Sequence, residues 1–123
     1  MSEQKTPTPI EINLHQKSRE LEVAFDDDSR FRFSSEFLRV YSPSAEVRGH
    51  APGEETLQVG KENVNIKELE PVGNYAVKIV FTDGHDSGIF SWNLFYEYGH
   101  NQEKMWQEYL QKLKDAGHER KLN

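Results

Sequence analysis

Residues 75–92 read YAVKIVFTDGHDSGIFSW, and how this stretch divides decides the fold. Tyr75, Val77, Ile79 and Phe81 fall at every second position, with Ala76, Lys78 and Val80 between them. That is the period of a strand with one buried face. The run stops at Asp83-Gly84, a pair that favours a tight turn. His85 then stands between two aspartates, and Ser87 or Ser91 is placed to cap the next element. The stretch therefore predicts a strand, a turn and the start of a helix.

Working outward, Leu21, Val23 and Phe25 alternate with Glu22 and Ala24, and Phe31 and Phe33 alternate with arginines. Asp26-Asp27-Asp28-Ser29 between them is turn chemistry, so 20–33 predicts a β-hairpin. Ile12 and Leu14 suggest a strand before it, and Val64–Val72 another before Tyr75. Ser34-Ser35-Glu36 is the start of a capped helical turn, and Ser42-Pro43 repeats the signal with proline at the first helical position. Trp92–Tyr98 predicts a short helix ended by Gly99. A second helix starts at Asn101, with Met105, Trp106, Tyr109, Leu110 and Leu113 as its apolar stripe. The expected fold class is α+β: small antiparallel sheets with short helices, and a C-terminal amphipathic helix packed on one face. A single domain over residues 10–117 is expected, with flexible tails at 1–9 and 118–123.

Composition excludes several functions. The 123 residues contain no cysteine, which removes disulfides, thiol catalysis and Cys-ligated zinc. The net charge is −6, so nucleic acid is not an expected partner. Even His100–Asn123, with five basic against four acidic residues, forms no basic patch. No apolar run approaches the roughly 18 residues of a membrane span, and the first residues lack a secretory pattern. A cytoplasmic location is the expectation.

The cluster around His85 invites a catalytic or metal reading. His85, Asp86 and Ser87 are consecutive, however, and a nucleophile, base and orienting acid must converge from separate positions. No enzymatic activity is expected. A metal reading would use His85 with His50 and Asp83, since imidazole and carboxylate are suitable donors. Arg39 and Arg48 flank Ser42-Pro43-Ser44-Ala45 and could receive an anion. A salt bridge to Glu36 or Glu46 is the simpler account of them. The aromatic residues Trp92, Phe95, Tyr96 and Tyr98 divide between core packing and a protein-contact surface, to which Arg39 and Arg48 could contribute.

The segments LEVAFDDDSRFRF (21–33), FLRVYSPSAEVRGH (37–50) and IKELEPVGNYAVKIVFTDGHDSGIFSWNLFYEYG (66–99) resemble a bacterial family of domains of unknown function. That family is similar to the N-terminal domain of gamma-butyrobetaine hydroxylase. The resemblance implies an α+β domain whose relatives are fused to 2-oxoglutarate oxygenases or to P-loop iron–sulfur carrier proteins. It also implies that the Cys-x-Cys-x-x-Cys and histidine ligands of a structural zinc in the hydroxylase branch fall at Ser42, Ser44, Val47 and His85. Serine and valine there argue against tight zinc, so no cofactor is expected. The resulting expectation is a non-catalytic binding or adaptor domain with a protein partner, acting in trans with an oxygenase or iron–sulfur assembly protein. The alternative is a metal-binding protein with a degenerate zinc-type site around His85.

Overall fold

A computed structural model describes residues 6–51 and 53–122. Strands β1 (Pro9–His15), β2 (Glu20–Phe25) and β3 (Arg30–Ser34) form one antiparallel sheet in that order. Strands β4 (Ile66–Val72), β5 (Ala76–Phe81) and β6 (Ile89–Ser91) form a second. Between the sheets in sequence lie two short helices, α1 (Ser35–Val40) and α2 (Ala45–Arg48), and the long α3 (Trp92–Asp115) comes after β6. The α+β class expected from the sequence is the one observed. Among the described residues no helix is long and apolar enough to cross a membrane.

Strand period explains the core. Leu21, Val23 and Phe25 of β2 and Val77, Ile79 and Phe81 of β5 are buried together, as alternation requires when one sheet face is covered. Phe33, Phe37, Phe90, Phe95 and Tyr98 join the same cluster, so aromatic volume supplies much of the burial. Tyr75 departs from the expected buried face. It lies before β5 and is 57% exposed. The preceding strand starts at Ile66, two residues later than expected.

Two local expectations are corrected. The Ser42-Pro43 pair does not start α2; Ser44 is its N-cap, accepting the Glu46 backbone N–H on Oγ. And α3 runs unbroken through Gly99 instead of stopping there. Gly99 is in the helix because the β3 residue Phe31 presses against it. A Cβ at position 99 would come within 2.4 Å of the Phe31 ring. That ring is held in turn by Phe25, Tyr96 and His100. Alanine ordinarily favours a helix interior by about 1 kcal/mol over glycine, but overpacking costs about 1–3 kcal/mol. Gly99→Ala is therefore expected to destabilise by about 1 kcal/mol net in urea denaturation. A more stable variant would show that Phe31 has room to move.

The ends of the described chain are tied to the domain. Thr8 exchanges hydrogen bonds with Asp26. Arg120 pairs with Glu36, and the Lys121 backbone N–H donates to Glu62. Residues 1–5 and 123 of the expected tails lie outside the described residues.

A Ser–His–Glu chain and an open tyrosine cleft

The connection between β5 and β6 is built around Asp83-Gly84, as the sequence predicts. Gly84 has φ +92° and its N–H donates to the Phe81 carbonyl, while the Phe81 N–H donates to His85 O. Asp83 Oδ1 accepts the His85 N–H, which fixes the turn from inside. His85 is thereby directed inward and is 6% exposed. Ser87 lies in the loop, and β6 follows, its last residue Ser91 capping α3 by accepting the Leu94 N–H. Of the two serines offered as caps, it is Ser91 that serves. Strand β6 is three residues long, too short to show a period in sequence.

Facing His85 is the segment joining α1 to α2. Fully buried Ser42 places its Oγ 2.8 Å from His85 Nε2. On the other side of the ring Nδ1 lies 3.3 Å from Glu46 Oε2. A neutral imidazole with its proton on Nδ1 meets both needs, donating to Glu46 and accepting the Ser42 hydroxyl. Ser44 Oγ and Ser87 Oγ lie 2.6 Å apart beside it. Gly88 permits this closeness, because a Cβ there would sit 2.3 Å from Ser42 Oγ.

Ser42, His85 and Glu46 thus form the connectivity of a hydrolytic triad, with His85 distant in sequence from the other two. Sequence reasoning misses it because the adjacent Asp86 and Ser87 stand in for the distant partners. The arrangement lacks what acyl transfer requires. Ser42 Oγ is sealed between Gly88 and the ring and also accepts the Ser44 N–H at 3.3 Å. Among the described residues, neither Ser42 nor His85 lines the four clefts that run along α3. A nucleophile must reach a substrate carbonyl, and this one reaches only protein.

Burial disfavours the charged imidazole of His85, and the nearby Arg39 guanidinium adds to that, so its pKa is lowered despite Glu46 and Asp83. The unfolded chain, with histidine near about 6.5, then takes up a proton before the folded one does. This contribution to stability is complete above about pH 6.5 and is lost as pH falls through the folded value. Stability should therefore decline as pH falls below about 6.5, and less steeply in His85→Gln. An NMR titration of the His85 ring with a midpoint above about 6.5 would contradict this.

Arg39 does not pair with Glu36 or Glu46 as the sequence suggests. It is buried, its Nε donates to Asp83 Oδ2 at 2.8 Å and its Nη1 to Gln58 Oε1. Burial opposes ionisation of Asp83, but hydrogen bonds from Lys61, the His85 N–H and Arg39 outweigh it and hold the carboxyl down to about 2. Both Asp83 oxygens are thus engaged. His50 stands exposed in the loop after α2. Among the described residues no group of three or more His, Cys, Asp or Glu side chains could hold a metal ion. The donor chemistry at the zinc-corresponding positions agrees: one imidazole nitrogen already engaged, two neutral hydroxyls and an aliphatic Val47 do not make a zinc set.

The aromatic run divides between core and surface. Phe95 is fully buried and Tyr98 nearly so. Trp92 is half-buried, its Nε1–H donating to Asn74 O, and half-buried Tyr96 donates its hydroxyl to Asp27. Tyr98 donates to the Tyr41 carbonyl and accepts from Arg48 Nη1 at 3.1 Å. That bond brings the 39–50 segment and the aromatic helix together along an open cleft of about 540 Å³. Val40, Val47, Leu57 and Met105 give the cleft its apolar part, and Arg48, Glu55, Glu108 and Lys112 its charges. Tyr41 and Tyr109 also line it, donating to the Met105 and Gln58 carbonyls, and burial pushes both phenols up to about 12. Residues 55–58 are not among the sequence-based candidates because a loop of mixed polarity carries no period.

Residues 12–96 match the family described as gamma-butyrobetaine hydroxylase-like, N-terminal. A solution NMR structure shares 50% identity over 98% of this chain and 90% of its own, with a TM-score of 0.80. A second NMR structure shares 44% identity over 93% and 90%, again with a TM-score of 0.80. The crystal structure of a protein of unknown function in the DUF971 family, from Acidithiobacillus ferrooxidans, shares 38% identity over 73% and 90%, with a TM-score of 0.62. No curated protein matches the chain. With the match spanning both sheets and the start of α3, the chain belongs to the gamma-butyrobetaine hydroxylase-like N-terminal domain family.

Proposed function

We propose that this chain is a non-catalytic binding domain that acts in trans on a protein partner, an oxygenase or an iron–sulfur assembly protein. The observation that carries the reading is the Arg48–Tyr98 bond. It joins the two segments expected to make contact and sets them along an open cleft, whereas Ser42 and His85 of the triad-like chain are buried. Mixed apolar and charged walls are the usual chemistry of a protein-contact surface. The class of partner comes from the fused relatives that the sequence resemblance implies.

The test is affinity capture from the source cells with the native chain and with Glu108→Arg/Lys112→Glu, which changes two exposed α3 positions. An oxygenase or iron–sulfur assembly protein retained by the native chain and lost by the variant is the expected result. Equal recovery by both chains would move the contact away from the cleft. Recovery of neither class of protein would reject the reading.

One observation favours the metal alternative: Ser42 and His85, at positions that correspond to zinc ligands, do meet. Their donor chemistry opposes it. Metal analysis of protein purified without a histidine tag decides the matter, since sub-stoichiometric zinc and iron would remove this alternative.

A further inference from the structure

We infer that the tyrosine-lined cleft receives the free C-terminal carboxylate of a partner polypeptide whose last residues are uncharged and apolar, with Arg48 and Lys112 as the carboxylate receptor. The inference rests on the protein-binding reading and names the chemistry of its ligand.

Arg48 and Lys112 approach the cleft from different elements, α2 and α3, and both act electrostatically on one carboxylate, that of Glu55. The Glu55 pKa is lowered first by backbone N–H groups of its own loop and of Gly53, and then by Lys112 and Arg48. Glu55, an exposed loop residue, lines the same cleft as the two cations. Arg48 uses Nη1 on Tyr98, and a guanidinium has five N–H donors in a fork that suits carboxylate geometry. Arg48 can therefore bond an incoming carboxylate through its other donors without removing the Tyr98 contact.

The rest of the cleft defines the body of the ligand. Val47, Leu57 and Met105 offer apolar surface, while Thr56 and Gln58 stand among them. That mixture suits the alternating amides and side chains of a peptide better than an alkyl chain. Glu108 also lines the cleft, and its charge acts on Tyr41, so an acidic residue in the ligand body is repelled. A volume of about 540 Å³ lies within the usual range for ligand sites, about 300–1,000 Å³. Terminal carboxylate capture is an established mode of peptide recognition in backbone nests, and a guanidinium fork presents N–H donors of matching geometry.

The test is a titration of the full-length protein, monitored by amide NMR, with the peptide acetyl-Ala-Leu-Phe bearing a free C-terminus. Its C-terminal amide, acetyl-Ala-Glu-Phe and decanoate serve as comparisons. Expected are saturable shifts around Arg48, Leu57 and Lys112, with binding at least about tenfold weaker for the amide, about one charge-assisted contact's worth. Lys112→Met should weaken the acid by a similar factor, and Arg48→Met likewise. Glu55→Gln should tighten it, because one negative charge lining the cleft is gone; an indifferent or purely structural role for Glu55 does not predict that direction. Equal affinity for acid and amide, tighter binding of decanoate or of the Glu-containing peptide, or no saturable shift each overturns the inference. If the capture experiment still finds a partner lost on changing Glu108 and Lys112, the protein-binding reading stands without it.

Discussion

Arg120→Met is expected to destabilise the domain by about 3 kcal/mol, the scale for breaking a buried ion pair by removing one partner. Its partner Glu36 is 6% exposed and receives two hydrogen bonds from the guanidinium, at 2.8 Å from Nε and 2.5 Å from Nη2. Arg120 also lies over the Trp106 ring at 5.1 Å, an attraction that methionine forfeits. The reason for the size of the effect lies in α1. All six of its residues are buried, although two of them, Glu36 and Arg39, carry charge. Neither charge is neutralised within the helix: Asp83 reaches Arg39 from the β5–β6 turn, and Arg120 reaches Glu36 from beyond α3. Truncating Arg120 leaves a buried carboxylate without its counter-ion, which costs more than the pair itself contributes. For a chain of this size the loss corresponds to a fall in Tm of about 10 °C, measurable by tryptophan fluorescence in urea or on heating. Glu36→Gln/Arg120→Met should recover part of the loss, because the amide tolerates burial better than an unpaired charge. A single variant within about 1 kcal/mol of the native chain would mean that water replaces the guanidinium at no great cost.

These pairings mark the boundary between what the sequence makes legible and what it hides. The alternation of Leu21, Val23 and Phe25, and of Val77, Ile79 and Phe81, is visible because one buried sheet face imposes a period of two on adjacent residues. The Ser34 cap and the Asp83-Gly84 turn are visible because both act on backbone groups within three residues. Gly99 looks like a helix stop until Phe31, distant in the chain, is placed beside it. The partners of Arg39 and Glu36 are likewise set by packing across the fold, and no local pattern distinguishes Asp83 from Glu46 as the counter-ion. In the candidate site, His85 is conspicuous in sequence, and the family resemblance places Ser42 and Ser44 near it. Glu46 as the third member is not legible, since its contact depends on the turn at Ser44 that aims α2 toward the ring.

The same geometry makes a strong prediction about the positions that the resemblance aligns with zinc ligands. The triple substitution Ser42→Cys/Ser44→Cys/Val47→Cys should turn a chain without a zinc donor set into one that binds one zinc ion. His85 is already suited to the role: its Nε2 faces position 42, and Nδ1 lies 3.3 Å from the Glu46 carboxylate, the outer partner that orients a ligating imidazole. Around tetrahedral zinc a thiolate sulfur and an imidazole nitrogen sit about 3.6 Å apart, given bonds of about 2.3 and 2.1 Å. The present 2.8 Å between Ser42 Oγ and His85 Nε2 must therefore open by about 0.8 Å. Without metal the variant should be less stable than the native chain. Ser44 loses its cap on Glu46, worth about 1 kcal/mol, and cysteine at 47 changes a buried apolar contact. With free zinc about a thousandfold above Kd, binding should restore about 4 kcal/mol, so the order of stabilities reverses and a chelator returns it. Elemental analysis should find one zinc per chain, and His85→Ala in the triple variant should weaken retention. Sub-stoichiometric zinc with a folded triple variant would show that position 47 does not converge with 42, 44 and 85. In that case the likeness to the zinc-binding branch ends at the backbone.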